Sequence, residues 1–163
     1  MNILGFLALA GAAAYFLSPD DATGEGANEH AIRKARADIR RVLAGKGRTD
    51  VPHSLYREEV GWVGFQYGRA NRDPETKRHN GHGLAYIVAR ARETHGTYEG
   101  SPTVDELLDI IPEVIVNSPA PVKVGKFRKK FEWKRHIVII TQRGKNPKSP
   151  NWVFHSYKLY PKK

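Results

Sequence analysis

Cysteine is absent from the chain, which removes thiolate nucleophiles, disulfides and Cys-based zinc sites and leaves seven histidines as candidate acid–base groups. The stretch that holds two of them close together runs His79-Asn80-Gly81-His82-Gly83-Leu84-Ala85-Tyr86-Ile87, where a polar, turn-rich segment stops and an apolar helical pattern begins. His82, between two glycines at a helix N-terminus, can titrate near neutrality and face an anion. Tyr86 follows one turn later, and with Ala89 or Arg90 it shares the face of His82. Leu84, Ile87, Val88 and Ala91 form a separate apolar face. His95 closes the same helix, where it is equally a favourable cation at a helix C-terminus. His155, Ser156 and Tyr157 lie together in the last β-prone run.

Cations surround these groups. The formal charge of +10 favours a polyanionic partner, either nucleic acid or, less specifically, an anionic membrane surface. From Val122 to the C-terminus thirteen Lys and Arg face a single acid, Glu132, so this region alone exceeds the net charge of the whole chain. Such a concentration on one sheet is what a phosphate-binding face requires. Arg128, Lys130 and Arg135 are placed to clamp phosphate, with Lys126 and Tyr157 beside them, and solvated β-edge cations are the plainer alternative. Arg78, with Arg69, Arg72, Lys77 and His79, lies in the charged, Pro-containing stretch Arg69 to Asn80, which reads as a loop and a cationic flap.

The elements that must position these side chains follow in order. Val60 to Phe65 reads as a strand ended by Tyr67-Gly68. The helix entered at Gly83 should stop near His95-Gly96. Thr103 caps another helix through a Thr-x-x-Glu box with Glu106, carried by Leu107, Leu108, Ile110 and Ile111 and interrupted by Pro112. Val122 to Val124, Phe127 to Trp133, His136 to Thr141 and Trp152 to Leu159 are four β-prone runs whose short separations make them antiparallel neighbours. Alternation along the last places Trp152, Phe154 and Ser156 on one face and Val153, His155 and Tyr157 on the other. Residues 51–163 thus form one α+β domain with a basic four-stranded antiparallel sheet.

Ahead of it stand three segments. Residues 1–18 open with Met1 to Leu17, which carries no charge. At about 1.5 Å per residue a helix of that length covers roughly 25 Å, the short end of a bilayer span. The length favours an uncleaved membrane anchor over a signal peptide, because no Lys or Arg precedes the apolar run. A buried helix in an assembly is the third reading. Residues 19–27 read as a polar linker. Residues 28–47 hold a basic amphipathic helix from Asn28 as cap to about Leu43, with Ile32, Ala35, Ile39 and Val42 on the apolar side and Gly45 and Gly47 closing it.

The order of these pieces resembles the barnase/RelE-like (BECR) nuclease superfamily, in the version carried by phage proteins and polymorphic toxins. The resemblance covers Glu59 to Tyr160. It rests on Gly81-x-Gly83-Leu84-Ala85-x-Ile87, on His95-Gly96, on Asp105-Glu106-Leu107-Leu108 through Ile115, and on Trp152 to Tyr157. It implies RNA cleavage without a metal or other cofactor. The 2′-hydroxyl attacks its own phosphate, a base takes its proton, an acid protonates the leaving oxygen, and cations stabilise the transition state. By position His95 matches the family's helix-end histidine, and His155 falls where a last-strand Thr is common, with Ser156 adjacent. The histidine usual in Leu-Ala-His-Ile is Tyr86 here, and His82 is the expected substitute. Partners implied are RNA, with DNA as the alternative, and an immunity or inhibitor protein or phage virion proteins; the uncharged residues 1–17 add the membrane as a further expected partner. The location implied is membrane-associated, secreted or virion-associated.

Other classes fit less well. His79, His82 and His95 could form a zinc site, but no His-Glu-x-x-His is present and many cations lie near. The absence of Gly-x-x-x-x-Gly-Lys-Ser/Thr excludes P-loop nucleotide chemistry. The rival from a different class is a non-enzymatic, membrane-anchored nucleic-acid-binding or virion structural protein built on a degenerate nuclease fold.

Overall fold

The computed structural model describes residues 24–142 and 149–160. The apolar segment 1–17, residues 19–23 of the expected linker, the expected turn cations Arg143, Lys145 and Lys148, and Lys162 and Lys163 lie outside the described residues. Among the described residues no helix is long and apolar enough to cross a membrane. The elements run α1 (Gly24–Gly45), β1 (Val51–Arg57), β2 (Gly61–Phe65), β3 (Arg69–Arg72), β4 (His79–His82), α2 (Gly83–Thr94), α3 (Val104–Asn117), β5 (Val122–Lys123), β6 (Arg128–Trp133), β7 (His136–Gln142) and β8 (Asn151–Lys158).

The α+β class holds, but the sheet is larger than a four-stranded antiparallel one. Six strands lie in the order β1-β2-β8-β7-β6-β5, and β2 runs parallel to β8 through Val63–Asn151 and Gly64–Trp152. Parallel neighbours need a long crossover, so short chain intervals cannot reveal them. The strand β1 is hidden in the sequence by Pro52 and His53. Val51 pairs with Phe65 and Leu55 with Val63, so β1 bulges by two residues there. The bulge folds over Gly64, where a Cβ would sit 2.6 Å from the carbonyl oxygens of Val51 and Pro52.

Two other expectations are corrected. The stretch Arg69 to Asn80 is a hairpin rather than a loop, with Arg69 opposite His82 and Arg72 opposite His79. Its turn is held by Asp73, whose Oδ1 accepts from the amides of Glu75 (2.9 Å) and Thr76 (2.7 Å). Pro112 does not interrupt α3, which continues to Asn117 with Ile111, Pro112, Val114 and Ile115 buried. Burial on both sides of the proline outweighs the hydrogen bond it deletes, and Arg36 of α1 donates to the Asp109 carbonyl at 3.0 Å nearby. The helix α1 also starts at Gly24, before Asn28. Its apolar stripe of Ala35, Ile39 and Val42 is buried.

The helices cover one face of the sheet. Leu55, Val63, Phe65, Phe131, Val138, Ile140 and Val153 meet Leu84, Ile87, Ile111 and Ile115 in a single core. Arg57 ties α3 to β1 by donating to the carbonyls of Ile115 (2.6 Å) and Ser118 (3.0 Å). The register sets the opposite, open face. Its cross-strand rows are Arg128–Thr141–Trp152, Lys130–Ile139–His155 and Glu132–Ile137–Tyr157.

Candidate functional site

The strand β2 borders β8 only at Asn151 and Trp152, and α2 takes its place along the rest of β8. Two glycines make that exchange possible. Gly68 and Gly83 have φ of +70° and +77°, and the chain after β2 crosses the start of α2 at backbone contact. A Cβ on Gly68 would lie 2.0 Å from the His82 carbonyl oxygen, and one on Gly83 would lie 2.9 Å from those of Gln66 and Tyr67. The amides of Leu84 and Ala85 donate to Gln66 (3.0 Å) and Tyr67 (2.8 Å). These two N-terminal donors of α2 therefore bind the chain itself rather than an anion.

His82 is the last residue of β4 rather than the first turn of the helix, with φ −161° and ψ 163°. Side chains alternate along a strand, so His79 and Gly81 share one face and His82 the other. Tyr86 packs on the Gly81 side, where a Cβ would meet its Cδ2 at 2.6 Å. Strand alternation thus places His82 on the face of β4 opposite the Gly81 side on which Tyr86 packs.

His79 comes to the site instead. Its Nε2 lies 2.8 Å from Glu93 Oε2, and the same carboxylate oxygen accepts from Arg90 Nη1 at 3.1 Å. Tyr86, Arg90 and Glu93 stand at i, i+4 and i+7 on one face of α2. The Tyr86 ring bridges this group to the sheet, 6.5 Å from the His79 ring and 5.0 Å from that of His155. Tyr157 follows at 5.2 Å from His155. The result is a continuous strip of His79, Glu93, Arg90, Tyr86, His155 and Tyr157 where α2 and the β3–β4 hairpin meet the open sheet face.

A bulge delivers the last two. Ile139 pairs with His155 but Ile140 pairs with Val153, leaving Phe154 as an extra residue. The simple alternation expected for this strand therefore fails: Val153 and Ser156 are both buried among the helices, and His155 and Tyr157 turn to the opposite face. Ser156, 1% exposed, has a buried Oγ without a partner and stands apart from His155.

His155 is half-buried, and its Nδ1 is enclosed without a hydrogen bond. Burial first, and the Arg90 charge second, push its pKa down from 6.5 to about 4. The ring is neutral at pH 7. The unfolded chain binds this proton near 6.5 and the folded one near 4, so the unfolded state holds more protons between those values. The stability linked to this ring is complete above pH 6.5 and is lost as pH falls towards 4. An NMR titration is expected to give His155 a midpoint near 4, with urea stability declining across that window less steeply in His155→Phe. A midpoint near 6.5 would show a solvated ring instead.

The remaining expected residues divide by place. Lys130 shares a row with His155 and Arg128 one with Trp152, and Arg128 stacks 4.1 Å over the Phe154 ring. Arg135 lies in the tight β6–β7 turn at φ +63°, and Lys126 precedes β6 with its ammonium over Phe127. Arg78 is exposed beside His79 in the turn of the hairpin. His95 follows the last residue of α2, exposed, its Nδ1 3.3 Å from the Pro102 carbonyl. It lies roughly 13 Å along the helix from Tyr86. His79, His82 and His95 therefore do not converge on a zinc site, and no group of three or more metal-ligating side chains gathers among the described residues.

His79, Arg90 and Glu93 complete the strip, and none stood among the expected catalytic groups. The helical spacing of Tyr86, Arg90 and Glu93, and the Asp-Pro turn signature at Asp73-Pro74, were the available signals.

A family model described as phage-Barnase-EndoU-ColicinE5/D-RelE like nuclease1 matches residues 54–162, from within β1 to beyond β8. Neither the curated proteins nor the solved structures give a match. The match takes in the strip and the strands β2 to β8, and the chain belongs to this family of phage Barnase-, EndoU-, ColicinE5/D- and RelE-like nucleases.

Proposed function

We propose that the domain is a metal-independent endoribonuclease that uses the 2′-hydroxyl of its substrate as nucleophile. The observation that carries this is the His79–Glu93–Arg90 cluster at 2.8 and 3.1 Å, set beside Tyr86 and His155 at the edge of a basic sheet. Glu93 accepts from His79 Nε2 and fixes the ring, which leaves Nδ1 to take the 2′-hydroxyl proton. The 2′-oxygen bonds to phosphorus, the 5′-oxygen leaves, and His155 supplies its proton after the phosphate charge favours the protonated ring. Arg90 and Lys130 offset the charge that builds on the phosphoryl oxygens. The products are a 2′,3′-cyclic phosphate and a 5′-hydroxyl. Membrane tethering through the uncharged residues 1–17 is part of the same proposal.

The test is to incubate the full chain with end-labelled RNA and with DNA of the same sequence, each in EDTA. Cleavage of RNA alone, leaving 2′,3′-cyclic phosphate ends, is the expected result. Salt-sensitive binding of both without cleavage would overturn the proposal and favour a binding platform.

A further inference from the structure

The open face continues past His155 in the direction away from Tyr157. Along β8 the next outward side chain is Trp152, which lies beside Gly64 of β2. Trp62 shares the face of Gly64, two residues earlier, and packs edge-on against Tyr56 of β1 at 5.4 Å. His53, in the β1 bulge, lies 5.4 Å from Trp62. Tyr56 is 62% exposed, a large ring left on the surface of a strand. The folded chain gains nothing from that exposure.

Rings and cations share this face. Tyr157, His155, Trp152 and the Trp62–Tyr56 pair lie in sequence along the β8 direction, spanning about 20 Å at strand rise. Lys130 and Arg128 stand in the rows of His155 and Trp152, two strands away, or about 10 Å across the sheet. A ring face binds any base, and cations at one side of a row of rings meet the backbone phosphates of the same strand. Paired bases keep their faces in the duplex stack and cannot use such rings. Lysine is depleted at protein–protein interfaces, so the Lys130 row favours a nucleic acid over a protein partner.

We propose that Trp152, Trp62 and Tyr56 form a stacking track that holds the unpaired nucleotides on one side of the scissile phosphate, making the domain specific for single strands. The inference rests on the nuclease reading of the site beside it. The track acts on affinity: it holds the strand in register with His79 and His155 and takes no part in proton transfer.

The probe is a labelled single-stranded DNA of about a dozen nucleotides, which lacks the attacking hydroxyl, compared with its duplex form. The full chain is expected to bind the single strand at least about tenfold more tightly, with quenching of tryptophan fluorescence. Trp62→Ala should weaken that binding by roughly tenfold, and Trp62→Phe should restore most of it. Circular dichroism and urea unfolding should be unchanged in both, which reports that the variants fold. Equal affinity for duplex and single strand, or unaltered binding by a Trp62→Ala protein with native circular dichroism, would overturn the track. Tight, Trp62-dependent binding by a protein that cuts no RNA would keep the track and remove the ribonuclease.

Discussion

Glu93→Gln is expected to lower kcat for RNA cleavage by about two to four orders of magnitude, with KM changed little. The substitution keeps the size of the side chain but removes the charge that holds both His79 Nε2 and Arg90 Nη1. A ring no longer fixed by a carboxylate presents Nδ1 to the 2′-hydroxyl only part of the time, and Arg90 is freed to move. His79→Ala should cost as much, and the double variant little more, because groups that act as one unit are not additive. His82→Ala and His95→Ala should stay within a few-fold of the unsubstituted chain, since one projects from the other face of β4 and the other caps the far end of α2. Steady-state kinetics on all five proteins decides it. A large loss in His82→Ala with activity kept in Glu93→Gln would move the base away from the His79–Glu93 pair.

What the sequence conveyed about this site depended on distance along the chain. The start of α3 was legible because its signal spans four residues: Thr103 Oγ1 accepts from the Glu106 amide at 3.2 Å, and the Glu106 carboxylate accepts from the Thr103 amide at 2.7 Å. The strands β6, β7 and β8 were legible from β-branched and aromatic runs, and the cations Arg128 and Lys130 with them. The face of each β8 side chain was not, because one extra residue at Phe154 reverses the alternation and only its pairing with β7 shows it. Nor could the sequence show that His79 meets Glu93, since that contact joins a hairpin to a helix through folding alone. Gly81-His82-Gly83 drew attention to the right element for an incomplete reason. Its glycines serve contact with Tyr86 and with the end of β2, and an anion has no access to the amides bonded there.

Gly68→Ala should therefore be among the most damaging single-atom changes in the domain. The residue has φ +70°, where an alanine costs about 1–2 kcal/mol for backbone conformation alone. Gly61 has a similar φ of +76° with nothing within 4 Å of its Cβ position, so Gly61→Ala measures that conformational cost by itself. At Gly68 the new methyl would also lie 2.0 Å from the His82 carbonyl oxygen, which is backbone and cannot rotate away. The start of α2 must then move off β2, stretching the hydrogen bonds from Leu84 and Ala85 and shifting Tyr86, Arg90 and Glu93 with the helix. A loss of about 3 kcal/mol or more in urea unfolding is expected for Gly68→Ala, against about 1–2 kcal/mol for Gly61→Ala. Protein that remains folded should cleave poorly, because a displacement on the order of 1 Å at a reacting group costs about a hundredfold. Equal stability of the two variants would mean that α2 and β2 separate freely, and the glycine crossing would then not be what sets the position of the site.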